Sequence, residues 1–351
     1  MIKQEIHALL HEGTVIPAYP LALTADRQFD ERGQRALTRY YIDAGVGGIA
    51  VGVHTTQFEI RDPEFNLFEK VLTLAVDEID NYMKDDRPFI KIAGICGELE
   101  QATYEATFAK NLGYDLGLLS FRGLNHLSEE ELIHHTKEIA KIIPVFGFYL
   151  QPAVGGRELS FDFWKKFADI PNVHAIKIAP FDRYRTLDVV RAVCHSEQRD
   201  DIALYTGNDD NIITDLITNY EIPVNGKIIK KHIVGGLLGH WAAWTKKAVE
   251  QFEEIKTTRK ENGSMDKFNV LSHQVTDANS AFFDVRNRFK GCIAGINEIL
   301  ARQGILQGNW CLLEKEKLSP GQSEEIVRVY REYPHLHDDD FVKNNLETWL
   351  N

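Results

Sequence analysis

The chain has 351 residues, 44% apolar and 26% charged, with a formal net charge of −12. That balance is the balance of a folded cytoplasmic protein, and it argues against a disordered chain and against a nucleic-acid binder, which needs a basic face. No apolar run reaches the roughly 20 residues of a membrane helix, so no membrane partner is expected. Its four cysteines are scattered without a CxxC pair and its 13 histidines show no HExxH spacing. Neither disulfides nor a zinc site is indicated, and no metal or other cofactor is expected.

MIKQEIHALLHEG (1–13) reads as a short amphipathic helix with charges inside its apolar pattern, which makes it a poor signal peptide. TVIPAY (14–19) is the first strand candidate. Asp30 is placed to cap a helix that carries Leu37, Tyr40, Tyr41 and Ala44 on one face, and Gly45 ends it. GGIAVGV (47–53) is the second strand, followed by a helix over 65–83. PFIKIAGI (88–95), DLGLLS (115–120), VFGFYL (145–150), VHAIKIA (173–179), IALYTG (202–207) and HIVGGLL (232–238) continue the series. A helix over 98–111 and one opened by the capping box Ser128–Glu131 lie among them, and another runs to about Ile255. The basic run GKIIKKH (226–232) reads as a solvated connection.

Eight strand–helix units predict an α/β fold, a (β/α)8 TIM barrel over 1–257. An open doubly wound sheet alternates similarly, but no GxGxxG or GxxxxGK[ST] supports a nucleotide-binding version. TTRKENGSMDK (257–267) reads as a polar connection, and 258–351 as a helical C-terminal domain, with Ser319-Pro320 as a helix start.

The sixth strand carries the chemistry. Val173, Ala175, Lys177 and Ala179 share one face, and His174, Ile176 and Ile178 the other. The bulky set suits the helix layer, which turns Lys177 toward the barrel axis. A lysine desolvated there has a lowered pKa and supplies the neutral amine that attacks a ketone. On the fifth strand the same size argument turns Tyr149 inward, where its hydroxyl would shuttle protons. Strand two ends in GVHTT, placing His54, Thr55 and Thr56 at the C-terminal rim where barrel active sites are built. TGNDD (206–210), with Gly207 and Asn208, lies at the same rim after strand seven.

In this order and spacing the residues resemble the pyruvate-dependent class I aldolases that include dihydrodipicolinate synthase and N-acetylneuraminate lyase. YLQP (149–152) resembles that family's YxxP segment, and IPNVHAIKIA (170–179) its Schiff-base stretch, with Lys177 standing 28 positions after Tyr149. The resemblance implies a lyase in which Lys177 forms an imine with a 2-oxo acid and Tyr149 passes the proton. Thr55 or Thr56 would bind the carboxylate and link Tyr149 into a relay. It also implies an aldehyde or sugar-acid partner and a homodimer or homotetramer. The sequence departs from the family at GVHTTQFE, at SFRGLNH (120–126), where an aromatic pair is usual, and at Ile178. Val154 stands where the synthase branch has its carboxylate-clamping arginine, with Arg157 three residues later. The competing readings are dihydrodipicolinate synthase proper, an inactive barrel that binds a small acid, and a metal-dependent barrel using His54, Asp209, Asp210 and His240.

Overall fold

The structure is a computed structural model that describes residues 2–351. Along the chain, α1 (Gln4–Glu12) precedes β1 (Val15–Pro17). Then come α2 (Glu31–Ala44), β2 (Gly48–Val51), α3 (Phe68–Tyr82), β3 (Ile90–Ile95), α4 (Leu99–Leu112), β4 (Leu116–Ser120) and α5 (Glu129–Ala140). β5 (Val145–Leu150), α6 (Phe161–Ala168), β6 (Val173–Ala179), α7 (Arg183–Cys194), β7 (Ala203–Thr206) and α8 (Ile212–Ile217) keep the alternation. A hairpin of β8 (Asn219–Val224) and β9 (Lys227–His232) then precedes β10 (Gly235–Leu238) and α9 (Thr245–Lys260). The chain closes with α10 (Phe268–Phe282), α11 (Cys292–Arg302), α12 (Gln322–Glu332) and α13 (Asp339–Leu350). Strands β1–β7 and β10 form the eight-stranded sheet of a (β/α)8 barrel with C-terminal helices, the architecture the alternation predicts.

Three local expectations are corrected. GKIIKKH is not a solvated connection but the turn and second strand of the hairpin, paired antiparallel with Ile222 opposite Ile229. Asn225 and Gly226 both take positive φ (49° and 78°), as a two-residue hairpin turn demands, so the Asn-Gly pair was the signal for it. The last barrel strand therefore starts at Gly235 rather than 232. Ser319-Pro320 precedes a helix but does not open it: Ser319 donates its N–H to the Gln322 side chain, and α12 begins at Gln322. Helix α9 also runs to Lys260, into the segment expected to be a polar connection.

The chain divides into two compact units. The first holds the opening 14 residues and Pro88–Leu237; the second holds Val15–Arg87 and Leu238–Asn351. The helices after 258 thus belong to the same unit as β1 and β2.

In the first unit β3, β4, β5, β6, β7 and β10 pair in parallel succession. A register shift at Val145/Phe146 sets Phe148 beside Lys177, and Lys177 in turn pairs with Tyr205. Helix α1 is tied in by Tyr205, whose hydroxyl donates to the Leu10 carbonyl at 2.9 Å. The His7 ring stacks on His11 at 4.3 Å and meets His174 edge-on at 5.8 Å.

In the second unit, the Asp30 carboxylate accepts the Gly33 N–H at 3.1 Å and Gly45 takes the left-handed conformation, the start and stop read from sequence. Tyr40 and Tyr41 are fully buried. The Tyr40 hydroxyl donates to Asp338 at 2.7 Å, and Trp349 donates its indole N–H to Asp43 at 2.7 Å. Arg35 and Arg39 both grip Glu78, at 2.7 and 2.6 Å. The C-terminal helices and α2 therefore share one core.

The histidine cluster should make the protein less stable in acid. Burial, and then the neighbouring His7 and His11, depress the His174 pKa to about 4, while Asp201 opposes the shift. The unfolded chain takes up this proton below about 6.5, the folded chain only below about 4, so acid favours unfolding. Stability should be full above pH 6.5 and fall by on the order of 1–2 kcal/mol toward pH 4, the figure discounted for partial exposure. His174→Gln should flatten that limb of the curve in denaturant titrations run from pH 7.5 to 4.5.

Candidate active site

VHAIKIA forms β6 because its β-branched residues suit a strand buried on both faces. Lys177 lies on the face that pairs with Phe148 and Tyr205. Its side chain is only 7% exposed, and its Nζ stands 4.2 Å from the centre of the Phe148 ring. Desolvation lowers the Lys177 pKa to about 8, against the opposing charge of Asp209.

Gly207 makes room for this side chain. A Cβ there would lie 2.5 Å from Lys177 Cε and 2.7 Å from Ala179 Cβ. The Gly207 N–H donates to the Ile178 carbonyl at 2.7 Å, which clamps the loop after β7 onto β6.

A buried polar network fixes that loop. Asn208 is fully buried. Its amide group donates to Thr186 Oγ1 at 3.2 Å and to Asp215 Oδ2 at 2.9 Å, and its Oδ1 accepts the Phe181 N–H at 3.0 Å. Asp215 also accepts from Thr206 Oγ1 at 2.7 Å and is ion-paired with Arg183. Phe181 holds a left-handed φ of 53°, a cost that the surrounding bonds sustain. Asn208 was expected to bind substrate; its polar atoms serve the scaffold instead. Asp209 follows it, also 7% exposed.

Tyr149 does not face the Lys177 side. It pairs in register with Ile178, its ring packs 5.0 Å from Trp164 on α6, and its hydroxyl accepts the Leu159 N–H at 3.3 Å. Burial pushes its phenol up. The size argument failed on β5 because α6 supplies the bulk. The Phe167 ring occupies the space a Cβ on Gly147 would fill, at 2.5 Å, so the outer face of β5 must be small there. The large rings Phe146 and Phe148 turn inward, Phe146 meeting Tyr205 edge-on at 5.2 Å.

Arg157, the other expected substrate ligand of this unit, donates through Nη1 to the Leu124 and Leu127 carbonyls at 3.2 and 2.7 Å. That contact ties down the loop after β4. Sequence reading weighed Asp209 only as a metal ligand and gave Phe148 and Asp215 no role at the site.

In the second unit, His54–Thr56 form a single 3-10 turn after β2. The His54 ring lies 6.0 Å from Phe58. The two threonines differ. The Thr56 hydroxyl donates to the Tyr19 carbonyl at 2.6 Å and accepts the Gly52 and Val53 N–H groups at 3.0 and 3.2 Å. Its hydrogen-bonding capacity is spent on the backbone, so the relay role expected of Thr56 is not available to it. The Thr55 hydroxyl is buried with no hydrogen-bond partner, which costs free energy unless a ligand supplies one. Its methyl lies near Gly239, where a Cβ would meet Phe283 at 2.9 Å and Thr55 Cγ2 at 3.6 Å. Among the described residues, no three His, Cys, Asp or Glu side chains converge as a metal site, and no helix is long and apolar enough to cross a membrane.

The two threonines can be separated by experiment. Thr56→Val should destabilise the protein by about 1–3 kcal/mol, because it strands two buried N–H groups and a carbonyl. Thr55→Val removes an unmatched hydroxyl and should leave thermal stability unchanged or raise it by about 1 kcal/mol.

Residues 12–228 match the Dihydrodipicolinate synthetase family. The chain is 28% identical over 200 residues to 4-hydroxy-tetrahydrodipicolinate synthase of Moorella thermoacetica, covering 56% of this chain and 64% of that protein. The match to the synthase of Syntrophobacter fumaroxidans is 30% identical over 184 residues, covering 52% and 59%. The chain thus spans less than two thirds of the length of these two synthases. It is 24% identical over 326 residues to N-acetylneuraminate lyase 2 of Escherichia coli O6:H1, covering 91% of this chain and 95% of that one. Among solved structures, it superposes on a prophage protein of the dihydrodipicolinic acid synthase family from E. coli K12, in complex with pyruvate. The TM-score is 0.72 at 19% identity, over 91% of this chain and 98% of that one. N-acetylneuraminate lyase from Fusobacterium nucleatum complexed with pyruvate gives a TM-score of 0.71 at 18% identity, over 92% and 98%.

Proposed function

The chain belongs to the Dihydrodipicolinate synthetase family, and we propose that it is a class I aldolase or lyase that forms a Schiff base between Lys177 and a 2-oxo acid, with pyruvate as substrate or product. The observation that carries this reading is Lys177 itself, an amine buried inside the first unit with its pKa depressed by desolvation. Two relatives whose structures hold pyruvate share the fold and support the choice of oxo acid.

The neutral amine attacks the keto carbon of pyruvate, and loss of the carbinolamine oxygen as water, with a proton taken from solvent, leaves an iminium. Its positive charge takes the place of the ammonium above Phe148, whose ring face favours a cation at that spot. The iminium draws electrons from the neighbouring carbon. That carbon can then form or break a bond to an aldehyde partner, or support dehydration. Thr55 offers the unit that carries it a buried donor for a carboxylate.

Dihydrodipicolinate synthase proper is the weaker reading. Val154 occupies the arginine position of that branch, and the nearby Arg157 is bonded to backbone carbonyls.

Incubation with pyruvate followed by borohydride should add a stable mass to the peptide that contains Lys177. Trapping should rise with pH about a midpoint well below the ordinary lysine value near 10.4, since the neutral amine is the nucleophile. Lys177→Arg should abolish the adduct and lower turnover by on the order of 10⁴-fold or more. Gly207→Ala pushes a methyl into the lysine side chain and should slow trapping by about 10²-fold. A wild-type protein that forms no adduct with pyruvate or longer 2-oxo acids would sink the proposal.

A further inference from the structure

We propose that Gln57 is a positioning residue for the 2-oxo acid: its buried side chain holds the turn that presents Thr55 to the substrate carboxylate. The inference rests on the reading above in which Thr55 donates to that carboxylate.

The threonine turn is short and is fixed at both ends. At its front, the Thr56 hydroxyl accepts the Gly52 and Val53 N–H groups. At its back, the Gln57 N–H donates to the His54 carbonyl at 2.9 Å, and the Gln57 carbonyl accepts the Ile60 N–H at 3.3 Å as a second 3-10 turn, Phe58–Arg61, begins. Gln57 reverses the chain between the two turns with φ 69° and ψ 122°, a backbone conformation that suits glycine and is unfavourable for any residue with a Cβ. It lies in GVHTTQFE, where the sequence departs from its family.

The side chain accounts for a glutamine at that φ. Gln57 is fully buried, and its Oε1 accepts the Leu312 N–H at 2.6 Å, across 255 positions of chain. The adjoining peptide is held as well, for the Cys311 carbonyl accepts from the Arg27 guanidinium. Cys311 and Leu312 are both buried, so the turn is tied to packed chain rather than to a free loop. Thr55 stands between the two anchors. Its methyl packs beside Phe283 where Gly239 lacks a Cβ, which limits its rotamer, and its hydroxyl is left buried and unanswered.

Stability alone does not account for this residue. Gln57 combines an unfavourable backbone with a buried Nε2 that also has no hydrogen-bond partner. Strain of this kind persists only where the surroundings over-determine it, and it gathers where a group must be held in place. The group held here is the Thr55 hydroxyl. Its aim at a carboxylate oxygen depends on where the turn sits, and a misplacement of about 1 Å is enough to lose the benefit of such a contact.

The test measures binding of pyruvate and of methyl pyruvate to the 351-residue chain by titration calorimetry. Gln57→Gly relieves the backbone, so the chain should still fold, but it frees the turn and should weaken pyruvate binding by about 10-fold. Gln57→Met, similar in length but without an acceptor for the Leu312 N–H, should do the same. Gln57→Glu restores the acceptor and should stay within about threefold of the wild type. Methyl pyruvate carries no carboxylate to place, so its affinity should not separate the wild type from Gln57→Gly, whereas a general loosening of the fold would weaken both ligands. In Thr55→Val the hydroxyl is gone, and adding Gln57→Gly should weaken pyruvate binding no further. Wild-type pyruvate affinity in Gln57→Gly, or effects that multiply in the double variant, would overturn the assignment, as would a wild-type chain that binds no pyruvate. Borohydride trapping of the same samples keeps the two readings apart. Gln57-dependent binding without a Lys177 adduct would overturn the Schiff base and leave this assignment standing; an adduct with Gln57-independent binding would do the reverse.

Discussion

The burial of one amine sets the terms for the rest of the first unit. A lysine loses hydration when it enters a barrel interior, and the protein offsets that loss only in part, with a ring face and one buried carboxylate. The residual penalty is what lowers the lysine's pKa. It also means the neighbours cannot be left free to relax and readmit water. Gly207 is pinned to β6 by its N–H, and Asn208 and Asp215 close a network in which each polar atom is answered by another protein group. The scaffold around Lys177 is polar and satisfied one layer out, and apolar where it meets the lysine stem.

The second unit is organised differently. Its stability rests on α2, which buries tyrosines among the C-terminal helices and binds Asp338, Trp349 and Glu78 through side chains on three of its turns. Burial raises the pKa of Asp338, while the hydrogen bonds from Tyr40, Lys246 and Gln303 pull it back. Here the polar contacts locate helices. In the first unit they locate a loop.

What the sequence disclosed depends on whether an element's surroundings follow its own composition. The order of the eight barrel strands was legible because buried parallel strands are apolar runs bounded by turn residues, and the caps at Asp30 and Ser128 were legible because capping is local chemistry. The face of Lys177 was also legible: on β6 the residues beside it are small and those behind it are isoleucines. The same rule misplaced Tyr149, since Phe167 of the following helix fills the outer layer at Gly147 while Trp164 packs on the Tyr149 ring. That information lies in a neighbouring element. The threonine pair could be recognised as a pair, but which hydroxyl is already spent depends on where the Tyr19 carbonyl falls. The hairpin was a missed reading rather than a hidden one, for its Asn-Gly turn is a local signal.

The chain's path through its two units imposes a timetable on synthesis. Residues 15–87 emerge early, but their unit also needs 238–351, and the whole of 88–237 is made in between. At about 5–20 residues per second the ribosome takes roughly 8–30 s to cross that gap. For that interval the apolar face of α2 has none of the C-terminal helices to bury it, while the intervening unit already has every strand it needs. The nascent protein therefore carries one unit whose residues have all been made and one that still waits for its C-terminal helices.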